Sequence, residues 1–165
     1  MAPSTGRPAD PGPDDDSSPS LLFEVFALGQ QVRRLLTAAM ARAPLDPADY
    51  AFVSAVFEDE APTPTALARR LGMPLSTVVD QVQRFERRGH LRRVRNPADG
   101  RSYVVVLTGD GLAAHRVAGA AFERAHAAVD LALGESASEV TSAVRLLRTA
   151  VAEAVDVSEG VPSDA

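Results

Sequence analysis

The chain has 165 residues, 45% hydrophobic but only 5% aromatic, with no Trp, no Cys and a net charge of −5. Such a length predicts one domain with tails around an aliphatic, Ala-rich core. The absence of Cys excludes a disulfide framework, a Cys zinc site, a thiol nucleophile and a signal sensed by thiol oxidation. No run of 18 apolar residues is present to span a membrane, and the Met-Ala-Pro-Ser start lacks the apolar segment of a secretory signal. The expectation is therefore a soluble, cytoplasmic domain without a membrane partner.

Residues 1–20 hold five Pro, two Gly, four Ser and four Asp, and predict a disordered tail because nothing apolar offsets their ordering entropy. From Leu21 the pattern changes. Leu21, Val25, Leu28, Val32, Leu35 and Ala39 recur at steps of four and three, predicting a helix to about Arg42. Leu22, Phe26, Leu36 and Met40 widen its apolar stripe. Asp46-Pro47-Ala48-Asp49 is an N-cap, a Pro at the first position and an acid in the first turn, opening a second helix to about Asp59. Thr63-Pro64 repeats the device for a short third helix that stops at Gly72. A fourth helix runs from near Pro74 to Arg88-Gly89. Leu91–Arg95 and Arg101–Thr108 flank an Asn-Pro…Asp-Gly turn and read as a hairpin with a protruding tip. Thr108 caps a fifth helix, roughly Gly111 to Leu133, and the capping box Ser136-Ala137-Ser138-Glu139 opens a sixth through Val155. Residues 157–165 read as a frayed tail.

Net charge alone argues against a nucleic-acid partner, but its distribution reverses this. Every basic residue is Arg, and between Arg69 and Arg101 nine arginines face three acids, a local net of +6 that leaves −11 for the rest. Short helix, turn, helix and basic hairpin is the order of a winged helix-turn-helix. On the fourth helix Leu75, Val78, Val82 and Phe85 share one side, predicted to face the core. The opposite arc carries Ser76, Thr77, Asp80, Gln83, Arg84, Arg87 and Arg88, whose hydroxyls and guanidinium groups suit a major groove. The three His form no metal site on this reading: His115 and His126 lie eleven residues apart on one helix, about 16 Å along its axis. No catalytic constellation or phosphate loop stands out, so neither an enzyme nor a cofactor is expected.

Asp99-Gly100-Arg101, then Tyr103 to Leu107-Thr108 and Gly111, resembles the wing signature of MarR-type transcriptional regulators. Thr63-Pro64-Thr65-Ala66-Leu67-Ala68-Arg69-Arg70-Leu71-Gly72 resembles the same family's third helix, and Ser76-Thr77-Val78 with Arg84-Phe85-Glu86-Arg87-Arg88-Gly89 its recognition helix. The resemblance covers residues 21–156. It implies a mainly α (α+β) fold: a winged DNA-binding part at about 46–108 and dimerisation helices at about 21–43 and 109–156. The implied function is that of a homodimeric repressor on palindromic double-stranded DNA, modulated by a small-molecule effector. Ser76, Thr77, Arg84 and Arg88 then face DNA. Arg101 enters the minor groove from the wing tip, with Asp99 beside it as an orienting carboxylate. Gly100 stands where many members have Arg, implying one tip cation fewer. Asp80 stands where a basic or polar residue is common, and pairing with Arg84 at i+4 or hydrogen bonding to cytosine would accommodate it. The rival reading, favoured by the acidic pI, Asp80 and Gly100, is a winged-helix dimer that binds a protein or ligand but no DNA. Apart from any family, three long helices with apolar residues on several sides exceed what one small winged domain can cover, which calls for a partner chain.

Overall fold

A computed structural model describes residues 20–159, so the expected N-terminal tail (except Ser20) and residues 160–165 lie outside the described residues. The elements are α1 (Leu21–Ala39), α2 (Pro47–Glu58), α3 (Pro64–Leu71), α4 (Leu75–Arg87), β1 (Leu91–Arg95), β2 (Tyr103–Leu107), α5 (Gly109–Leu133) and α6 (Ala137–Glu159). A short 3-10 turn, Gly134–Ser136, joins the last two.

Local chemistry sets most of these boundaries. The Asp46 carboxylate accepts the Asp49 N–H at 2.8 Å, the Thr63 hydroxyl that of Ala66 at 3.2 Å, and the Thr108 hydroxyl that of Gly111 at 3.0 Å. Each cap satisfies a donor that the first helical turn leaves without a partner. Gly72 ends α3 at φ +62°, a left-handed conformation that glycine adopts without the strain a Cβ would add.

Several boundaries differ from expectation, β2 starting at Tyr103 rather than Arg101 and α5 at Gly109, directly after its Thr108 cap, rather than Gly111. α1 stops at Ala39, and Met40 turns inward to join the core. Ser136 lies within the 3-10 turn, while α6 starts at Ala137 as its capping box requires. α6 also continues to Glu159, three residues into the stretch expected to be tail, because nothing in Val157-Ser158-Glu159 breaks a helix.

The core lies where α2, α3, α4 and the hairpin converge. Leu45, Val53, Val56, Leu67, Val78, Val82, Phe85 and Val105 are fully buried, and Phe52 stacks on Phe85 with ring centroids 5.5 Å apart. Ala114, Ala118 and Ala121 of α5 close one side, their small size bringing the α5 backbone close to α2. β1 and β2 pair antiparallel with Leu91 opposite Leu107 and Arg95 opposite Tyr103. The Val105 N–H donates to the Pro62 carbonyl at 2.9 Å, fixing the wing to the α2–α3 connection. α1 contributes no buried residue. Among the described residues of α6 none is buried either. No described helix is long and apolar enough to cross a membrane.

Candidate nucleic-acid interface

α4 lies against the core through Val78, Val82 and Phe85, as the periodicity requires. Leu75 departs from that expectation and is 48% exposed. It occupies the first position of α4, where it lines a surface depression with Val79, Arg101 and Tyr103. The arc opposite the core presents Ser76, Asp80, Gln83 and Arg87, all exposed, while Thr77 is half-buried on the flank.

Arg84 and Arg88 do not join that outward arc. The Arg84 guanidinium ion-pairs with Asp49 in the first turn of α2 and also donates to the Gln81 side-chain oxygen. Arg88 takes the other Asp49 oxygen and donates to the Pro44 carbonyl at 3.1 Å. Both guanidinium groups also sit over the Phe85 ring, 5.1 and 5.3 Å from its centroid. The expected Asp80–Arg84 pair is therefore absent: Asp49 is buried, and its need for charge partners outweighs that of an exposed Asp80. His90 follows in the turn beyond α4. Its Nδ1 is buried without a hydrogen-bond partner among the described residues, and burial, then the nearby Arg88 charge, holds its pKa below the ordinary value.

Glu86 fastens the other flank of α4. Its carboxylate accepts the Arg93 N–H at 3.2 Å and pairs with the Arg93 Nε at 2.9 Å, tying α4 to β1. The Arg93 guanidinium in turn covers the Tyr103 ring at 4.8 Å.

The wing tip is built from its own polar groups. The Asn96 side chain donates to the Ser102 hydroxyl at 2.9 Å and accepts the Ala98 N–H at 3.0 Å. The Asp99 carboxylate accepts the Arg101 backbone N–H at 3.1 Å, so it orients Arg101 through the main chain. Arg101 is exposed. The Arg95 guanidinium lies against Gly100, 2.6 Å from where a Cβ would stand.

These placements divide the nine arginines of residues 69–101. Arg70, Arg84, Arg88 and Arg93 are held by carboxylates. Among the described residues Arg69, Arg87, Arg92, Arg95 and Arg101 have no carboxylate within 4 Å. Four of these five lie on the outer arc of α4, on β1 or at the tip, which gives the head a surface of uncompensated positive charge suited to phosphates. Arg84 and Arg88, expected to face DNA, are thus turned back, and Arg87 takes the outward place. Helical spacing separates Arg87 from Arg88: at about 100° per residue Arg87 lies close to the point opposite Val78 and Val82, and Arg88 well to the side.

A cleft of about 740 Å³ opens on another face, lined by Arg69, Arg70, Ser54 and Glu58 of the head and by Arg148 and Thr149 of α6. Beside it the Ser54 hydroxyl meets the His115 Nε2 at 3.0 Å, and the His115 ring stacks between Tyr50 and Phe57. Burial lowers the His115 pKa, partly offset by Glu58. Among the described residues no group of three His, Asp or Glu gathers that could hold a metal ion.

A helix-turn-helix whose second helix exposes a polar arc beside a basic hairpin defines a winged-helix DNA-binding protein. Residues 43–102 match the MarR family model. The PcaV transcriptional regulator of Streptomyces coelicolor, solved with its natural ligand, is 28% identical, with 82% of this chain and 94% of that one covered at a TM-score of 0.67. The repressor CouR, solved on a 23-mer DNA duplex, is 22% identical over 81% of this chain and 92% of that one, with a TM-score of 0.67. Apo MarR of E. coli is 23% identical over 81% and 98%, with a TM-score of 0.61. No curated protein sequence matches the chain. Residues 43–102 are thus similar to the MarR family, and the described fold is that of solved MarR-family regulators of transcription.

Proposed function

We propose that the protein is a homodimeric, ligand-responsive repressor whose two winged heads grip a palindromic operator. The observation that carries the dimer is the apolar surface left on α1, α5 and α6. Leu22, Phe26, Leu131 and Leu146 are 66%, 64%, 85% and 74% exposed, and Val140, Val144, Val151 and Val155 continue the face along α6. Such a contiguous patch calls for a partner, and a second copy supplies the same helices by two-fold symmetry. At micromolar concentration the protein is expected to sediment as a dimer with no folded monomer, and its melting temperature should rise with protein concentration. A folded monomer under those conditions would refute the reading.

In this dimer Ser76, Gln83 and Arg87 face the major groove and Thr77 borders it, while Arg101 and Arg95 reach the minor groove from the tip, with Asp99 holding the turn. Arg87→Ala should cost about 1–3 kcal/mol and relax preference at one position per half-site. Arg101→Ala should weaken binding, flatten its salt dependence and blunt preference for A·T flanks, where a narrow minor groove concentrates negative potential. Selection of random duplexes by wild type and both variants measures this, and three identical profiles would refute the assignment. The cleft carrying Arg69 and Arg148 suits a small anionic effector, since guanidinium groups bind carboxylates bidentately. Binding there would bear on α3 and α6 together. Repression follows if the bound dimer excludes polymerase, so a reporter with the selected operator over its promoter should be silenced.

A further inference from the structure

We propose that Asp49 is the positioning residue of the DNA-reading helix, fixing the rotation of α4 about its own axis through Arg84 and Arg88. The proposal rests on α4 being the helix that reads DNA. Asp49 is the one buried charged residue among the described residues, at 4% exposure. Its backbone N–H is pinned by the Asp46 cap, so its carboxylate stands on a fixed base in the first turn of α2. One oxygen takes Arg84 in the last turn of α4 and the other takes Arg88 at its C-cap, four residues on. Both guanidinium groups lie over Phe85, the fully buried side chain that anchors the same stretch in the core.

Packing of Val78, Val82 and Phe85 is non-directional and would tolerate a small rotation of the helix. Charge-assisted hydrogen bonds to two oxygens of one carboxylate would not. Arg87 and Gln83 lie on the far side of the axis, so any rotation the clamp permits is carried directly into where they meet the bases. Arg84 and Arg88 therefore serve DNA recognition without touching DNA.

The test uses the full chain on two duplexes, the tightest one selected by wild type and a random one, across a range of salt. Asp49→Asn is expected to lower the ratio of specific to non-specific affinity about tenfold or more, the order of one lost base contact. It also frees two guanidinium groups, so affinity for random DNA should rise and the salt slope steepen by about 0.9 for each phosphate newly met. Arg84→Gln should lower the same ratio with the slope unchanged. The double variant Asp49→Asn/Arg84→Gln should lose no more specificity than the worse single change, as groups acting in one unit do. Amide exchange along α4 without DNA should quicken in Asp49→Asn. That readout judges the clamp even if wild type selects no duplex, an outcome that would refute the DNA reading instead. If Asp49→Asn fails to fold, Arg84→Gln and Arg88→Gln decide. A slope lowered by about 0.9 with the ratio intact would mark them as phosphate contacts and overturn the proposal. Unchanged α4 exchange in a folded Asp49→Asn would overturn it as well.

Discussion

Gly111→Ala is expected to destabilise the protein by about 3 kcal/mol or more, at the upper end for inserting one methyl group into a packed site. A Cβ at 111 would overlap the His90 carbonyl oxygen and stand 2.9 Å from the His90 carbonyl carbon and 3.0 Å from a Leu107 methyl. The obstacle is backbone, so no rotamer change relieves it. The same carbonyl accepts the Thr108 N–H at 3.0 Å, and the Thr108 hydroxyl donates to the Gly89 carbonyl at 2.6 Å. Moving it apart from α5 therefore disturbs the joint between wing, α4 and the long helix together. The melting temperature should fall by roughly 6 °C or more, at fixed protein concentration. Gly109→Ala is the control, since a Cβ there meets nothing within 4 Å. Equal melting temperatures for the two variants would refute the account.

Phe85→Ala should cost about 3–5 kcal/mol, the usual range for emptying a fully buried aromatic site. The ring stacks on Phe52 and has Arg84 and Arg88 over it, so its loss opens a cavity and removes the surface against which both guanidinium groups lie. Phe85→Leu keeps most of the volume and should cost less. Urea unfolding should move the midpoint in that order with little change in slope. A midpoint for Phe85→Ala close to that of wild type would show that Phe85 does not anchor the helix.

Most of the scaffold is legible in the sequence because it is written in short-range chemistry. The Asp46-Pro47, Thr63-Pro64 and Thr108 starts and the Gly72 stop each depend on residues within four positions, and each is found where it was expected. The roles of Arg84 and Arg88 are not legible that way. Each lies on the flank of α4, where a long side chain can turn outward or back. Their partner Asp49 is 35 and 39 residues away, beyond any local spacing rule. Asp80, at i−4 from Arg84, offered a nearer but exposed carboxylate. Leu75 fails for a different reason. Periodicity gives the angle around a helix axis but not the height along it, and the first turn of α4 extends past the edge of the core.

The contact between Arg95 and Gly100 bears on how the wing varies among relatives. A side chain at position 100 and the guanidinium of residue 95 compete for one volume, with only 2.6 Å separating the first atom of the one from the end of the other. A long side chain at position 100 and Arg95 in its present place cannot both occupy that volume. Homologous wings should accordingly carry a long cation at one of them and a small residue at the other. A column-by-column comparison would then score as loss what is in fact an exchange between two positions five residues apart.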